Sequence, residues 1–138
     1  METLKVSDLS VGDWVRWKVY DKTYDICISQ ITDILLRGVH DGIEYGMKMT
    51  QLSPIPITAE MLEKNGFVRG KRGGFYHYLL LDKNRTLYIH ASTNGWRVQI
   101  TYDAAGILRT TYLMPDINSV HGLQHALRLA GLDKEINL

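Results

Sequence analysis

One cysteine, Cys27, stands in a chain of 138 residues, so no internal disulfide can form, and its apolar setting in DICISQI fits a reducing compartment. Excess charge is also missing. Sixteen Lys and Arg stand against fifteen Asp and Glu, and a net charge of +1 gives no overall field towards nucleic acid or an anionic membrane. No run reaches the roughly 20 apolar residues of a membrane span, and METLKVSDLSVGDW carries no apolar core of signal-peptide length. A soluble cytoplasmic protein is the expectation.

What is present is architectural. Ser53 to Phe67, SPIPITAEMLEKNGF, carries the start and stop signals of one short helix. Thr58 is placed to cap it, Glu60 puts negative charge at its positive end, and Ile57 and Leu62 occupy the positions of a hydrophobic staple. Gly66 can take the left-handed conformation that ends a helix, with Phe67 folding back on Leu62. Two turns of helix do not stand alone in water, so packing must hold them.

Before this helix the chain reads as a small β module of three or four curled strands. SVGDWVRW turns at Gly12-Asp13 and enters a strand, ICISQITDILL is β-branched and aliphatic, and the turn at His40 to Gly42 leads into IEYGMKM. Pro54 and Pro56 end strand pairing. After the helix, Phe75–Leu81, Thr86–Ala91, Trp96–Tyr102 and Ile107–Leu113 are strand-like runs separated by DKNR, STNG and DAAG, a spacing that predicts a four-stranded antiparallel meander. Alternation puts Leu87, Ile89, Trp96, Val98, Ile100, Tyr102, Leu108 and Tyr112 on an apolar face. Tyr88, His90, Arg97, Gln99, Thr101, Arg109 and Thr111 fall on the wet one. A second helix, about Ser119 to Ala130, carries the apolar stripe Val120, Leu123, Leu127 and Ala130, with Gly131 as its stop. The expected fold is α+β: an SH3-like β module over residues 1–57, then helix, meander and C-terminal helix over 58–138, as two segments or as one compact domain with a shared core.

The blocks LSVGDWV (Leu9 to Val15), LSPIPITAEMLEKNGF (Leu52 to Phe67), LYIHA (Leu87 to Ala91) and VHGLQHALRLAGL (Val120 to Leu132) appear in that order. In that order the chain resembles a family of small uncharacterised proteins of Bacteroidetes bacteria and their prophages and mobile elements. The resemblance implies an intracellular, phage-like or mobile-element setting, and no activity.

Chemistry has few footholds. His121 and His125 stand at i and i+4 on the last helix, a spacing that can share a metal, but Gly122 occupies the position of the Glu in H-E-x-x-H and no third ligand follows. No metal and no cofactor are therefore expected. Cys27 has no neighbouring cation to lower its pKa and reads as a buried small residue. Binding is the sharper possibility. Tyr88, His90, Arg97, Gln99 and Arg109 form a candidate face, and Arg69, Lys71 and Arg72 in RGKRGG a candidate phosphate-binding loop. The reading is a non-enzymatic binding or accessory protein acting on a protein partner or on itself. The alternative is a single-stranded nucleic-acid binder using the face and the loop.

Overall fold

The structure, a computed structural model, describes residues 4–33, 35–70, 76–92, 95–104, 106–132 and 134–138, with residues 104 and 110–116 described in backbone alone. The protein is α+β and mostly β, with two antiparallel sheets and two α-helices among the described residues. Two compact units divide it. One runs to Pro56 and includes Ser119–His121 and Leu138, and the other comprises Ile57–Asn118 and Gly122–Asn137.

The first unit is a five-stranded sheet of β1 (Trp14–Val19), β2 (Lys22–Ile31), β3 (Leu36–His40), β4 (Ile43–Gly46) and β5 (Leu52–Ser53), in the order β4-β3-β2-β1-β5. The fifth strand exceeds the sequence expectation because two residues are too few for alternation to register. Cross-strand partners share a face, and the pairs Val15 with Ile26 and Trp17 with Tyr24 set the inner one. Val15, Ile26 and Ile28 are buried there together with Leu36 and Leu52. Cys27 pairs with Trp14 on the outer face and is half-buried, not buried as its apolar neighbours imply. Turn chemistry closes the hairpins. Asp41 and Gly42 both take positive φ, 50° and 78°, between the paired residues His40 and Ile43, as the twist of a two-residue hairpin requires.

The second unit opens with α1 (Ala59–Lys64), whose N–H at Met61 donates to Thr58 Oγ1 at 3.2 Å while Ile57 and Leu62 are both buried. Its end is a Schellman motif. Gly66 at φ 88° donates to the Glu63 carbonyl and Phe67 to the Leu62 carbonyl. Five strands follow: β6 (Val68–Arg69), β7 (Tyr76–Leu80), β8 (Arg85–Ser92), β9 (Gly95–Ala104) and β10 (Ile107–Ile117), in the consecutive order β10-β9-β8-β7-β6. The sequence anticipates four. The extra strand β6 again has two residues, and β10 runs past Leu113 through Pro115, which an edge position tolerates because no N–H is needed there.

The chain then forms α2 (Val120–Leu129), where Val120, Leu123 and Leu127 are buried as the stripe predicts. A second Schellman ending closes it, with Gly131 at φ 72° and Leu132 donating to the Leu127 carbonyl. Beyond it the chain is tied down. The buried Asn65 donates to the Asn137 carbonyl at 2.9 Å and accepts from the Asn137 N–H at 2.7 Å, pairing with that backbone as a strand would.

Gly38 lets Ile26 into the first core. A Cβ there would stand 2.6 Å from Ile26 Cγ1 and 2.9 Å from Met47 Cε, while Gly46 has open space. Gly38→Ala is therefore expected to lower stability by about 1 to 3 kcal/mol through overpacking, and Gly46→Ala to be near neutral. Leu127→Ala should lose about 2 to 5 kcal/mol. Urea unfolding measures all three, and a Leu127→Ala loss below about 0.5 kcal/mol, the range of a surface change, would contradict its burial.

Candidate functional site

The second sheet places four rings together. On β7 the chain alternates Tyr76, His77, Tyr78, Leu79, and the antiparallel register sets Tyr76 opposite His90 and Tyr78 opposite Tyr88. His77 and Ile89, paired between them, are buried, so the three tyrosines and His90 share the other face and are half-buried. Ring centroids lie 5.7 Å apart for Tyr76 and His90, 5.9 Å for Tyr88 and His90, 6.0 Å for Tyr76 and Tyr88, and 6.3 Å for Tyr78 and Tyr88. These are contact spacings of aromatic pairs. Gly70 donates to the Tyr76 carbonyl and lies so close to that ring that no side chain fits between them.

Polar groups flank the rings. β9 puts Arg97 opposite His90 and Gln99 opposite Tyr88. Burial pushes the His90 pKa below its ordinary value, the Arg97 charge adds to the effect, and the ring is held neutral. At the margins Val68 pairs with Tyr78 and Leu80 with Thr86, which gives the same face two exposed aliphatic side chains, 49% and 70% accessible.

Of the residues anticipated on this face, Tyr88, His90, Arg97 and Gln99 are together and Arg109 is not. Arg109 pairs with Tyr102, so it projects with the Val98 and Ile100 side of the sheet, and Leu108 falls on the ring side. The parity expected for β10 is thus displaced by one residue, because the pairing that runs from Ile107 with Ala104 sets its register and its own apolar pattern does not. Arg69 pairs with His77 and also lies on the opposite face, 3.4 Å from Glu63. Lys71 and Arg72 lie outside the described residues. His121 is buried, His125 is half-buried, and among the described residues no group of three or more His, Cys, Asp or Glu could hold a metal.

Tyr76 and Tyr78 escaped the sequence reading although the signal was present. YHYLL alternates ring and non-ring residues, but only the pairing with LYIHA shows that the two sets of rings coincide.

A second aromatic site was also missed, in the first unit. Trp17, Tyr24, Tyr45 and His40 lie on the inner face at one end of its sheet and line a cavity of about 330 Å³ with Val19, Tyr20, Asp21 and Lys22. The Trp17 centroid is 5.2 Å from Tyr45 and 5.8 Å from Tyr24, each ring tilted by just over 40°, and His40 meets Tyr24 at 5.1 Å. Trp17 Nε1 donates to Gln51 Oε1 at 3.2 Å, which fixes the indole. The His40 Nδ1 lies 2.9 Å from the Asp25 carbonyl, an acceptor only, so this nitrogen carries the proton.

No family model, no curated protein and no solved structure matches the chain. Among the described residues no helix is long and apolar enough to cross a membrane.

One buried titratable group stands apart from both aromatic sites. His77 is 3% exposed, neither ring nitrogen is hydrogen-bonded, and Nε2 lies 3.8 Å from Glu63 Oε1. Burial lowers its pKa from the ordinary 6.5, with Glu63 opposing in part. A histidine whose folded pKa is depressed binds fewer protons folded than unfolded, so its contribution is complete above the unfolded pKa and is lost as pH falls below it. The denaturation midpoint should therefore drop on acidification below about pH 6.5, and His77→Leu should remove part of that drop. An identical pH slope in the variant would show that His77 does not titrate with unfolding.

Proposed function

We propose that the protein is a non-enzymatic binding protein whose ring face on the second sheet engages a protein partner or a second copy of the chain. The observation that carries this reading is the continuity of Tyr76, Tyr78, Tyr88 and His90 with the exposed Val68 and Leu80, flanked by Arg97 and Gln99. Tyrosine and arginine around an apolar centre are the composition of an interface core, and tyrosine contributes large contact area with few rotatable bonds. An exposed aliphatic and aromatic patch costs solubility unless something covers it. An accessory, cytoplasmic role is the reading that accords with the resemblance to proteins of prophages and mobile elements.

For the first unit we adopt the SH3-like reading. The order β4-β3-β2-β1-β5, with a 3-10 turn at Met49–Gln51 immediately before the short last strand, supports it. The consecutive order of the second sheet likewise supports a meander with α2 on its apolar side. Neither architecture carries a function by itself.

Single-stranded nucleic acid is the second reading, favoured by one observation: rings side by side on a sheet are a platform on which bases stack. Charge weighs against it. Arg109 and Arg69 both project from the opposite face, His90 is neutral, and Arg97 is the cation that the described residues place beside the rings.

Fluorescence anisotropy with labelled single strands separates the two. The protein reading expects affinity no better than about millimolar at physiological salt, with no dependence on Tyr88, and concentration-dependent association that Tyr78→Ala and Tyr88→Ala weaken in sedimentation with itself or its partner. Micromolar, salt-sensitive binding that loses about 1 to 3 kcal/mol on Tyr88→Ala would establish the nucleic-acid reading instead.

A further inference from the structure

We infer that the aromatic cavity of the first unit binds an alkylated ammonium group, carried by a small quaternary amine or by a methylated lysine side chain. Trp17 is in ring contact with both Tyr24 and Tyr45, and each tyrosine tilts by just over 40° from the indole plane. All three rings line the cavity, and an aromatic face attracts a cation, that of tryptophan most strongly.

Size and polarity select the ligand further. A cavity of about 330 Å³ is at the lower end of small-molecule sites, suited to a compact head group. Its ring walls can cover methyl groups but offer little to a strongly hydrated primary ammonium, whose water would have to be stripped without replacement. Two polar ring atoms beside the cavity are already committed. Trp17 Nε1 is held by Gln51 and His40 Nδ1 by the Asp25 carbonyl, so these rings are oriented and present surface rather than donors.

The rim carries two further signs. Asp21 lines the cavity and forms no ion pair among the described residues, and its carboxylate can balance a bound cation. Beside it Tyr20 takes φ 57°, a left-handed conformation that costs a β-carbon residue energy, while its ring is 95% exposed. A glycine or asparagine would relieve that turn. Retaining a strained, exposed tyrosine at the mouth of an aromatic cavity is accounted for when its ring closes over a ligand. Lys22 lines the same rim and opposes a cation, but it is exposed on a flexible stem and can turn away into solvent.

The test is calorimetric titration of the whole chain with choline, with trimethyl-lysine amide and with the uncharged carbon isostere of choline. The two cations should bind about tenfold or more tighter than the isostere, because shape and apolar area are matched and charge alone differs. Of the two, the tighter identifies the source. Tyr45→Leu, whose folding is checked by its unfolding midpoint, should abolish the preference for charge. Asp21→Asn should weaken cation binding and flatten its salt dependence, and Lys22→Gln should strengthen it. Tyr20→Gly should raise the unfolding midpoint while weakening choline. Equal affinity for choline and its isostere, or no heat from any of the three probes with the folded protein at about 50 mM, an affinity weaker than any useful site, would overturn the inference.

Discussion

The pairing of Tyr78 with Tyr88 across β7 and β8 is the constraint on which the second unit depends. In a pleated sheet a slip of one residue exchanges the two faces completely. With this register His77, Ile89 and Val98 enter the core and the rings emerge together, whereas the neighbouring register would bury tyrosines and expose Ile89. The core and the candidate surface are thus one choice seen from two sides. Leu87 and Ile89, both fully buried, hold that choice, since exposing such side chains costs about 1.5 to 3 kcal/mol each.

The first unit is governed by the same parity with a different result. Trp17 opposes Tyr24, and Tyr45 opposes Gly38, so large rings gather at one end of the inner face, while Ile26 and Met47 fill the space that Gly38 leaves. Aliphatic residues fill the middle of that face and close the core. At its end Trp17 is buried while Tyr24, His40 and Tyr45 are half-buried, and these rings line a cavity. A core that ends in aromatics leaves ring surface at a cavity without any residue being withdrawn from packing.

Helix ends were legible in the amino-acid sequence with little loss. Thr58, Gly66 and Phe67, and then Gly131 and Leu132, make the hydrogen bonds their spacing foretold, because each bond joins groups within a few residues of one another. The turn at Asp41-Gly42 and the principal strands were equally plain. The two-residue strands β5 and β6 were not, since their assignment rests on partners, Trp17 and Tyr78, distant in the chain. The parity of β10 failed for the same kind of reason, and Arg109 left the candidate face with it.

The residue pattern alone therefore determined where helices begin and end, where hairpins turn, and that Tyr88, His90, Arg97 and Gln99 share one face. These follow from dihedral preferences, capping bonds and the two-residue period, all of which act locally. Tertiary structure decided which strands are neighbours, and so that Tyr76 and Tyr78 join Tyr88, that Asn65 holds Asn137, and that Trp17, Tyr24, His40 and Tyr45 surround one cavity. Contacts between strands far apart in the chain depend on register, and register is set jointly by turn length and by which side chains the core can bury.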